Sequence, residues 1–266
     1  MIRPLVVAHR GSSARHADNS WPAFEAAARE GVDAIECDVQ ATRDRVIVVR
    51  HDLTIDDRLV ADLCFAEIEA RAPGTVVLAD LLAFAESTPI DLLIEIKDPG
   101  AAEAVAQMIA ASARRDRIVV GSFHGPALAA VKATAAGLRT SFMIGSVAGP
   151  EELVRLAAAF RADGVHLCWE TRAARPHRLL DLTIIDRLRR AGLAITLWHE
   201  EREDELRAMV ALEPDAICTN TPAILRRIVD AHCASSAAGV ERDVAARDDP
   251  PEQLVTAMQS TREENR

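Results

Sequence analysis

The sequence lacks the long apolar runs of an integral membrane protein and the surplus of basic residues of a general nucleic-acid binder. None of its apolar stretches approaches the roughly 18 residues that a membrane span requires, so we expect no integral membrane association. The formal net charge is −10, whereas nucleic-acid phosphates are bound mainly by clustered Lys and Arg. A nucleic-acid partner is therefore not expected. With 49% apolar and 27% charged residues, the composition is that of a globular protein.

Cysteine pairs at short spacing are also missing. The chain has five cysteines, an odd number, and their positions are typical of small buried side chains rather than of a disulfide framework. This number and spacing of cysteines fits a protein from a reducing compartment. The stretch before the first charged motif, residues 1–8, is too short for a secretory signal. Both observations predict a cytoplasmic location.

The chain alternates short apolar runs with amphipathic segments, a pattern typical of parallel βα units. We predict strands at Leu5–Ala8, Ala34–Val39, Leu92–Ile96, Ile118–Gly121, Thr140–Ile144, Gly164–Leu167, Ala194–Trp198 and Ala216–Cys218. We predict helices at Trp21–Glu30, Leu78–Glu86, Ala101–Arg114, Pro126–Ala136, Glu151–Phe160, Leu179–Arg190, Glu203–Leu212 and Pro222–Ala231. Eight such units in a chain near the typical length of about 250 residues predict an α/β fold, a TIM (β/α)₈ barrel, with a doubly wound open sheet as the alternative.

One segment interrupts this alternation of strands and helices, and we predict that it forms a β-hairpin. Val46–Arg50 alternates like a strand, yet too few residues separate it from the strand that ends at Val39 for a parallel crossover. A turn at Arg43–Val46 would place His51 across from Asp38. The hairpin is therefore expected to deliver His51 to the carboxyl end of the second strand.

Two further segments lie outside the repeating pattern. Residues 52–77 are polar, with a short helical piece at Phe65–Arg71, and form an insertion that could cover a site as a lid or small cap. Residues 234–266 carry few large apolar side chains and are predicted to be a mostly disordered tail, with a weak helix at Glu252–Gln259. The barrel domain is accordingly predicted to span residues 1–233.

Ionisable residues concentrate where the predicted strands end, which is where barrels of this kind carry their working groups. They are His9, Arg10, Glu36, Asp38, His51, Asp52, Glu95 and Lys97. Residues i and i+2 of a strand share a face, so Glu36 and Asp38 point together and can meet Glu95 in the barrel mouth. Three carboxylates in one mouth repel unless a cation lies among them, and hard oxygen ligands suit Mg²⁺, Ca²⁺ or Mn²⁺. Salt bridges across the barrel are the alternative for any single carboxylate.

The flanking histidines and basic residues predict proton transfer and phosphate binding. A lone histidine is usually a buried ring bonded to backbone, but His9 and His51 flank a predicted metal site, where imidazole can shuttle protons near neutral pH. The guanidinium fork of Arg10 can bind two phosphoryl oxygens, and Lys97 adds a compact charge. Only two of the 31 basic residues are lysine, Lys97 and Lys132, which suggests that arginine would not fit at position 97.

In order and spacing, these residues resemble the core motifs of the glycerophosphodiester phosphodiesterases. The matching segments are Ala8–Gly11, Ile35–Val39, His51–Asp52, Ile94–Lys97, Gly121–Phe123, Gly192–Trp198 and Ile217–Thr219. The resemblance implies a barrel, a divalent cation, and hydrolysis of a glycerophosphodiester to glycerol phosphate and an alcohol. By motif position it implies an acid–base pair, a phosphate-binding pair and a metal-binding set, namely His9 and His51, Arg10 and Lys97, and Glu36, Asp38 and Glu95.

The chain departs from the family pattern at three places. Asp18, Asn19 and Ser20 stand where the family usually reads Glu-Asn-Thr, and Ser20 is a predicted helix N-cap. At the seventh strand only Trp198 of the usual Trp-Thr-Val-Asn is kept, and it could form an apolar wall for a glycerol-like group or simply pack the barrel. Asn220 replaces the usual Asp after the last strand. These changes are expected to affect specificity more than the core reaction.

Two other functions remain open for the same fold. A phospholipase-D-like lipid phosphodiesterase would share the histidines and carboxylates, but its secreted examples are expected to carry a signal and a disulfide-tied loop. A non-catalytic phosphodiester-binding barrel would have lost some of these residues, whereas all are present. The sequence leaves undetermined the head group of the substrate, the physiological metal, the oligomeric state, and which histidine is the acid.

Overall fold

The computed structural model describes the backbone of residues 2–180 and 182–247 and the side chains of residues 2–180 and 182–235. Contacts divide the chain into two compact units, Met1–Val229 and Asp230–Arg266. The barrel strands and every predicted site residue lie in the first unit. No helix in the described part of the chain is both long and apolar enough to cross a bilayer.

The strands confirm the predicted barrel. In chain order they are β1 (Leu5–His9), β2 (Ala34–Ala41), β3 (Ile47–Val49), β4 (Thr54–Ile55), β5 (Arg58–Leu59), β6 (Asp91–Ile96), β7 (Ile118–Ser122), β8 (Arg139–Ile144), β9 (Gly164–Cys168), β10 (Ala194–Trp198) and β11 (Ala216–Thr219). All except β3, β4 and β5 pair in parallel with their neighbours, and β1 closes the ring by pairing with both β11 and β2. Eight parallel strands therefore form a closed barrel.

Helices connect the barrel strands, as predicted. They are α1 (Trp21–Arg29), α2 (Phe65–Arg71), α3 (Leu78–Ser87), α4 (Ala102–Ala111), α5 (Gly125–Thr134), α6 (Pro150–Ala159), α7 (Leu182–Arg190), α8 (Glu203–Ala211) and α9 (Pro222–Arg247). Ser20 is the N-cap of α1, where its side chain accepts a hydrogen bond from the backbone of Ala23. The backbone of α9 continues past Cys233, consistent with the high helix propensity of its many alanines. The weak helix expected at 252–259 lies outside the described residues.

Alternation along the strands separates a barrel interior from the layer beneath the helices. Buried apolar side chains fill the interior, among them Val7, Leu93, Met143, Cys168, Trp198 and Cys218. The intervening positions, such as Val6, Ile35 and Ile94, are also fully buried. The barrel is therefore a packed core, and charged side chains reach its mouth only near the carboxyl ends of the strands.

The hairpin after β2 exists, but its predicted register is wrong by one residue. Val39 lies opposite Val49 and Ala41 opposite Ile47, so Arg50, not His51, faces Asp38, and its amide donates to the Asp38 carbonyl at 2.8 Å. The loop has three residues because Arg45 adopts a left-handed conformation, with φ of 67°. The Thr42 hydroxyl accepts from the amide of Val46 at 2.9 Å and stabilises this longer loop.

The insertion after the hairpin has its own small core. The helix predicted at Phe65–Arg71 is α2, and β4 pairs with β5 in a short antiparallel ribbon. Buried apolar side chains join these pieces to the hairpin, namely Val48, Ile55, Val60, Leu63 and Ile68. Asp44 of the hairpin loop accepts from the amide of Phe65 at 2.9 Å. Hairpin and insertion therefore pack together at the carboxyl end of β2.

Candidate functional site

Three buried carboxylates meet at the barrel mouth, as the strand spacing predicts. Glu36 and Asp38 lie on β2 and Glu95 lies on β6, where parallel register places Asp38 opposite Glu95. Each offers a carboxylate oxygen, and these atoms lie within 4.8 Å of one another. All three side chains are almost completely inaccessible to solvent. The fold thus concentrates negative charge in a place where water cannot screen it.

Burial and the repulsion between the carboxylates raise the pKa values of Glu36 and Glu95. Burial, followed by the charges of Asp38 and Glu95, raises the pKa of Glu36 well above its usual range. Burial and the Asp38 carboxylate raise the pKa of Glu95 to about 7, although Lys97 contacts it. Among the described residues, Glu36 Oε1 and Glu95 Oε2 are buried oxygens with no hydrogen-bond donor. Such oxygens are free to act as ligands.

The donor set fits a hard divalent cation. The cluster offers only carboxylate oxygens, the ligands that Mg²⁺, Ca²⁺ and Mn²⁺ prefer. Two basic side chains, Arg10 and Lys97, balance three carboxylates incompletely, so a cation among them would relieve the remaining repulsion. Glu36, Asp38 and Glu95 are therefore the residues that could hold a metal.

Arg10 and Lys97 both contact the acid cluster. Arg10 Nε lies 3.1 Å from Asp38 Oδ2, and Arg10 Nη1 lies 3.0 Å from Asp18 Oδ2. Lys97 Nζ lies 2.8 Å from Glu95 Oε1 and 3.2 Å from Asp38 Oδ1. Asp38 is thus held between two cations. A phosphate that binds here would meet positive charge on both sides of the carboxylates.

Asn19 orients the central carboxylate. Its side-chain amide donates to Asp38 Oδ2 at 2.9 Å, and its oxygen lies 3.4 Å from the Asp38 amide. The Asn19 side chain is buried, and its backbone is left-handed with φ of 53°, a conformation that Asn tolerates better than most residues. Asn19 therefore positions Asp38, whereas neighbouring Asp18 is half exposed and pairs with Arg10.

The tight turn after β1 explains the glycine of the His-Arg-Gly motif. Arg10 and Gly11 are both left-handed, with φ of 56° and 83°. A Cβ on Gly11 would lie 2.6 Å from the backbone carbon of Ala23 in α1. The missing side chain allows the loop that carries Arg10 to approach the helix closely.

Gly11→Ala is expected to destabilise the protein more than Gly31→Ala, its matched control. Both glycines are left-handed, so each change incurs a backbone cost of roughly 1–2 kcal/mol. Only Gly11 meets backbone atoms, whereas Gly31 has nothing within 4 Å. The extra overpacking should cost Gly11→Ala about 1–3 kcal/mol more. Urea unfolding of both variants measures the difference, and equal midpoints would contradict the close approach.

His9 is buried beside the cluster in a defined orientation. Its Nδ1 lies 2.7 Å from Asn220 Oδ1, and the Asn220 amide nitrogen donates to Glu201 Oε1 at 2.6 Å. Because Glu201 takes the amide protons, the oxygen of Asn220 faces the ring, and His9 carries its proton on Nδ1. His9 Nε2 is then the acceptor and lies 3.9 Å from Glu36 Oε2.

Burial keeps His9 neutral. Desolvation, followed by the nearby charges of Arg10 and His199, lowers the pKa of His9 well below its usual value. The ring stacks on His199 with centroids 4.7 Å apart. Asn220 and Glu201 follow the last and the seventh strands of the predicted barrel, and sequence reasoning assigned neither of them a contact with His9.

His51 has a different environment. Its side chain is 38% exposed, and its Nδ1 lies 2.9 Å from Asp52 Oδ1. The hydrogen bond from His51 lowers the pKa of Asp52. Gln40 on β2 donates to the carbonyls of Arg50 and Asp52 at 2.9 and 2.8 Å, which fixes the segment that carries His51. His51 lines one cavity together with Glu95 and Lys97, so the structure brings it to the site.

Trp198 is the last residue of β10 and lies in the barrel mouth. It is 8% exposed and contacts His9 and Phe123, with ring centroids 5.0 and 5.8 Å away. Sequence reasoning missed His166, which is fully buried on β9 with its ring 5.4 Å from Trp198. Burial lowers the pKa of His166 to about 3. The available signal was a histidine at an inward position of an apolar strand.

Comparison with known proteins places this geometry in a family. The profile of the Glycerophosphoryl diester phosphodiesterase family matches residues 9–224. A glycerophosphodiester phosphodiesterase of Caldanaerobacter subterraneus subsp. tengcongensis is 25% identical over 249 residues, which cover 86% of this chain and 98% of that protein.

Two solved structures share the fold. A glycerophosphodiester phosphodiesterase from Parabacteroides distasonis superposes with a TM-score of 0.73 at 21% identity, covering 87% of this chain and 99% of its own. A phosphodiesterase from Oleispira antarctica, in complex with the product sn-glycerol-3-phosphate, superposes with a TM-score of 0.74 at 18% identity, covering 85% and 97%. Because the family profile spans most of the barrel, this chain belongs to the glycerophosphoryl diester phosphodiesterase family and is an enzyme of that hydrolytic class.

Proposed function

We propose that the protein hydrolyses glycerophosphodiesters to glycerol phosphate and an alcohol in a reaction that requires a divalent cation. The observation that carries this proposal is the cluster of Glu36, Asp38 and Glu95 within 4.8 Å, held between Arg10 and Lys97 at the barrel mouth. Buried like charges of this kind are costly unless a cation or a substrate uses them.

The carboxylates would hold the metal, and the basic side chains would bind the phosphate. When bound, a divalent cation supplies Lewis-acid stabilisation of the phosphoryl oxygens and lowers the pKa of a coordinated hydroxyl group. Arg10 and Lys97 can give up part of their contact with the Asp38 carboxylate and bind the phosphate oxygens, which are also negatively charged. Asn19 would keep Asp38 in place during this exchange, because it donates to Asp38 Oδ2 and also contacts the Asp38 amide.

His9 and His51 would divide the proton transfers. His9 has a neutral amide as its partner and presents an unprotonated Nε2 to the acid cluster, which suits a proton acceptor. His51 has the carboxylate of Asp52 as its hydrogen-bond partner, the arrangement in which an imidazole passes a proton to a leaving group. We therefore assign the base role to His9 and the acid role to His51.

Product identification tests the proposed reaction. The full-length protein is incubated with sn-glycero-3-phosphocholine, -ethanolamine and -inositol, each with Mg²⁺, Ca²⁺ or Mn²⁺, and the products are followed by phosphorus NMR. We expect glycerol phosphate and the free alcohol from at least one diester. Phosphorylated alcohol with free glycerol would contradict the proposed bond cleavage. Binding without turnover would favour the non-catalytic barrel.

A reducing compartment such as the cytoplasm is the location that we propose for this activity. In support, all five cysteines are unpaired, and Cys37, Cys168 and Cys218 are buried in the barrel. The boundary of the barrel domain near residue 233 likewise remains a proposal.

A further inference from the structure

A chain of hydrogen bonds from the last two barrel strands reaches His9. Glu201 follows β10, and Asn220 directly follows β11. The Asn220 amide nitrogen lies 2.6 Å from Glu201 Oε1, and its oxygen lies 2.7 Å from His9 Nδ1. The other ring nitrogen, His9 Nε2, is buried without a hydrogen-bond partner among the described residues and lies 3.9 Å from Glu36 Oε2. One nitrogen of the ring is therefore held by Asn220, and the other faces the acid cluster.

The orientation of the Asn220 amide decides which nitrogen of His9 carries the proton. A side-chain amide has one accepting end and one donating end, and a neutral imidazole likewise has one nitrogen of each kind. With the amide oxygen toward the ring, Nδ1 donates and Nε2 can accept a proton. With the amide nitrogen toward the ring, the proton lies on Nε2, and His9 cannot act as a base toward the site.

Glu201 determines this orientation, whereas Ser13 does not. The Ser13 hydroxyl lies 2.8 Å from Asn220 Oδ1 and 2.7 Å from the His9 carbonyl oxygen. Because a hydroxyl both donates and accepts, it is compatible with either orientation of the amide. A carboxylate only accepts, so Glu201 requires the nitrogen of the Asn220 amide to face it. The oxygen of that amide then faces His9.

Glu201 also contacts the ring that stacks on His9. Its Oε1 lies 3.5 Å from His199 Nε2. The rings of His199 and His9 have centroids 4.7 Å apart and planes inclined by 26°. These three side chains and Asn220 line one cavity of about 540 Å³ at the barrel mouth. Glu201 thus constrains the edge of the His9 ring through Asn220 and its face through His199.

The acid and the amide of this pair are exchanged relative to the family pattern. In Trp-Thr-Val-Asn the amide stands at the position of Glu201, and the usual Asp stands at the position of Asn220. One acid and one amide are present in both arrangements. In this chain, however, the amide contacts His9 and the acid lies behind it.

We propose that Glu201 is a positioning residue, which acts through Asn220 to hold the proton of His9 on Nδ1. This inference rests on the base role proposed for His9. In the reaction, Nε2 takes the proton of the attacking hydroxyl group while Nδ1 keeps its own. The Asn220 oxygen then stabilises the ring when both of its nitrogens carry protons.

Removal of the acceptor is the first test. We expect Glu201→Leu to lower kcat about 10- to 100-fold, the factor that corresponds to one hydrogen bond to a charged group. KM should stay within about twofold, because the change does not remove a contact with bound substrate. The fold should persist, since the Glu201 side chain is 40% exposed. Glu203→Leu is the control, because Glu203 is exposed on α8 and pairs with Arg207 and Arg227.

The alcohol of the diester separates positioning from substrate contact. A positioning role predicts the same loss of kcat on sn-glycero-3-phosphocholine and on sn-glycero-3-phosphoinositol. A rise of KM confined to the choline diester would show instead that the Glu201 carboxylate binds the cationic alcohol, and it would overturn the inference. Wild-type kcat in Glu201→Leu would also overturn it.

A reciprocal exchange of acid and amide is the second test. Asn220→Asp alone places two carboxylates in contact and should lower kcat at least as much as Glu201→Leu. Combined with Glu201→Gln, which keeps the side-chain length, it gives an amide that donates to a carboxylate, and that carboxylate again accepts from His9 Nδ1. The double variant should exceed Asn220→Asp in kcat by about tenfold, as expected for directly coupled residues. Additive losses would contradict the proposed coupling.

The position of the proton on His9 is the readout that does not depend on turnover. Nitrogen NMR of the full-length, ¹⁵N-histidine-labelled protein with Mg²⁺ at neutral pH distinguishes the two ring nitrogens, and His9→Gln identifies the signals. We expect protonated Nδ1 in the wild type and in the double variant, and a population with protonated Nε2 in Glu201→Leu. Unchanged protonation of Nδ1 in Glu201→Leu would overturn the inference. Inactivity of the wild type on every diester would reject the proposed function, whereas this spectrum would still decide the role of Glu201.

Discussion

Chelation of divalent cations is expected to abolish phosphodiester turnover by the full-length protein. Glu36, Asp38 and Glu95 repel one another at the barrel mouth, and the pKa of Glu95 is raised to about 7 mainly by burial and by the Asp38 carboxylate. In the proposed reaction a bound cation shares with Arg10 and Lys97 the stabilisation of the charge that develops on the phosphate, so its removal is expected to be severe. Activity should fall to the background rate in excess EDTA and return when Mg²⁺, Ca²⁺ or Mn²⁺ is added.

Two controls accompany this experiment. Circular dichroism in EDTA should retain the spectrum of the folded barrel, since the interior of the barrel is packed by apolar side chains independently of the cluster. Metal at 100 times its dissociation constant should stabilise the fold by about 2.7 kcal/mol, which a thermal melt can detect. Full turnover in EDTA, with no metal found by elemental analysis, would contradict the proposed metal dependence.

Removal of either histidine is expected to lower kcat about 10²- to 10⁴-fold, the range for loss of a positioned proton-transfer group. His51→Ala should leave the fold intact because the ring is partly exposed. His9 is buried against Trp198 and His199, so His9→Gln, which keeps more of the side-chain volume, accompanies His9→Ala. His16→Ala, at a histidine that lines none of the site cavities, should keep wild-type activity.

A diester with an activated aryl alcohol separates the two roles. Such a leaving group needs little protonation, so loss of the acid should matter much less on this substrate, whereas loss of the base should matter as before. Because His51 has the carboxylate partner, we expect the aryl substrate to rescue His51→Ala far more than His9→Gln. The opposite pattern would reverse the assignment. A near wild-type kcat for both variants on sn-glycero-3-phosphocholine would show that the active site lies elsewhere.

The barrel and the acid cluster could be predicted because they depend on local patterns. Apolar strands that are buried on both sides recur between amphipathic helices, and the i, i+2 spacing places Glu36 and Asp38 on one face. The hairpin register could not be predicted in the same way. It depends on the left-handed backbone of Arg45 and on the hydroxyl of Thr42, and a single residue of loop length changes every pair along the strands.

The surroundings of the histidines were less accessible to sequence reasoning. Asn220 is 211 positions from His9 in the chain, and only the closure of the barrel brings them to 2.7 Å. Gln40 reads as an ordinary strand residue, yet it holds the backbone on both sides of His51. The motif predicted which residues meet, whereas their orientation depends on contacts between distant strands and loops.

Titration of Mn²⁺ into the full-length protein, with free Mn²⁺ measured by electron paramagnetic resonance, determines whether the acid cluster binds a divalent cation. The acid cluster predicts one tightly bound ion per chain, and Glu36→Gln or Asp38→Asn should abolish this binding together with turnover. Glu103→Gln, at an exposed acid on α4, is the control and should bind Mn²⁺ like the wild type. Tight binding and turnover that both persist in the Glu36 and Asp38 variants would contradict a metal-dependent reaction at this site.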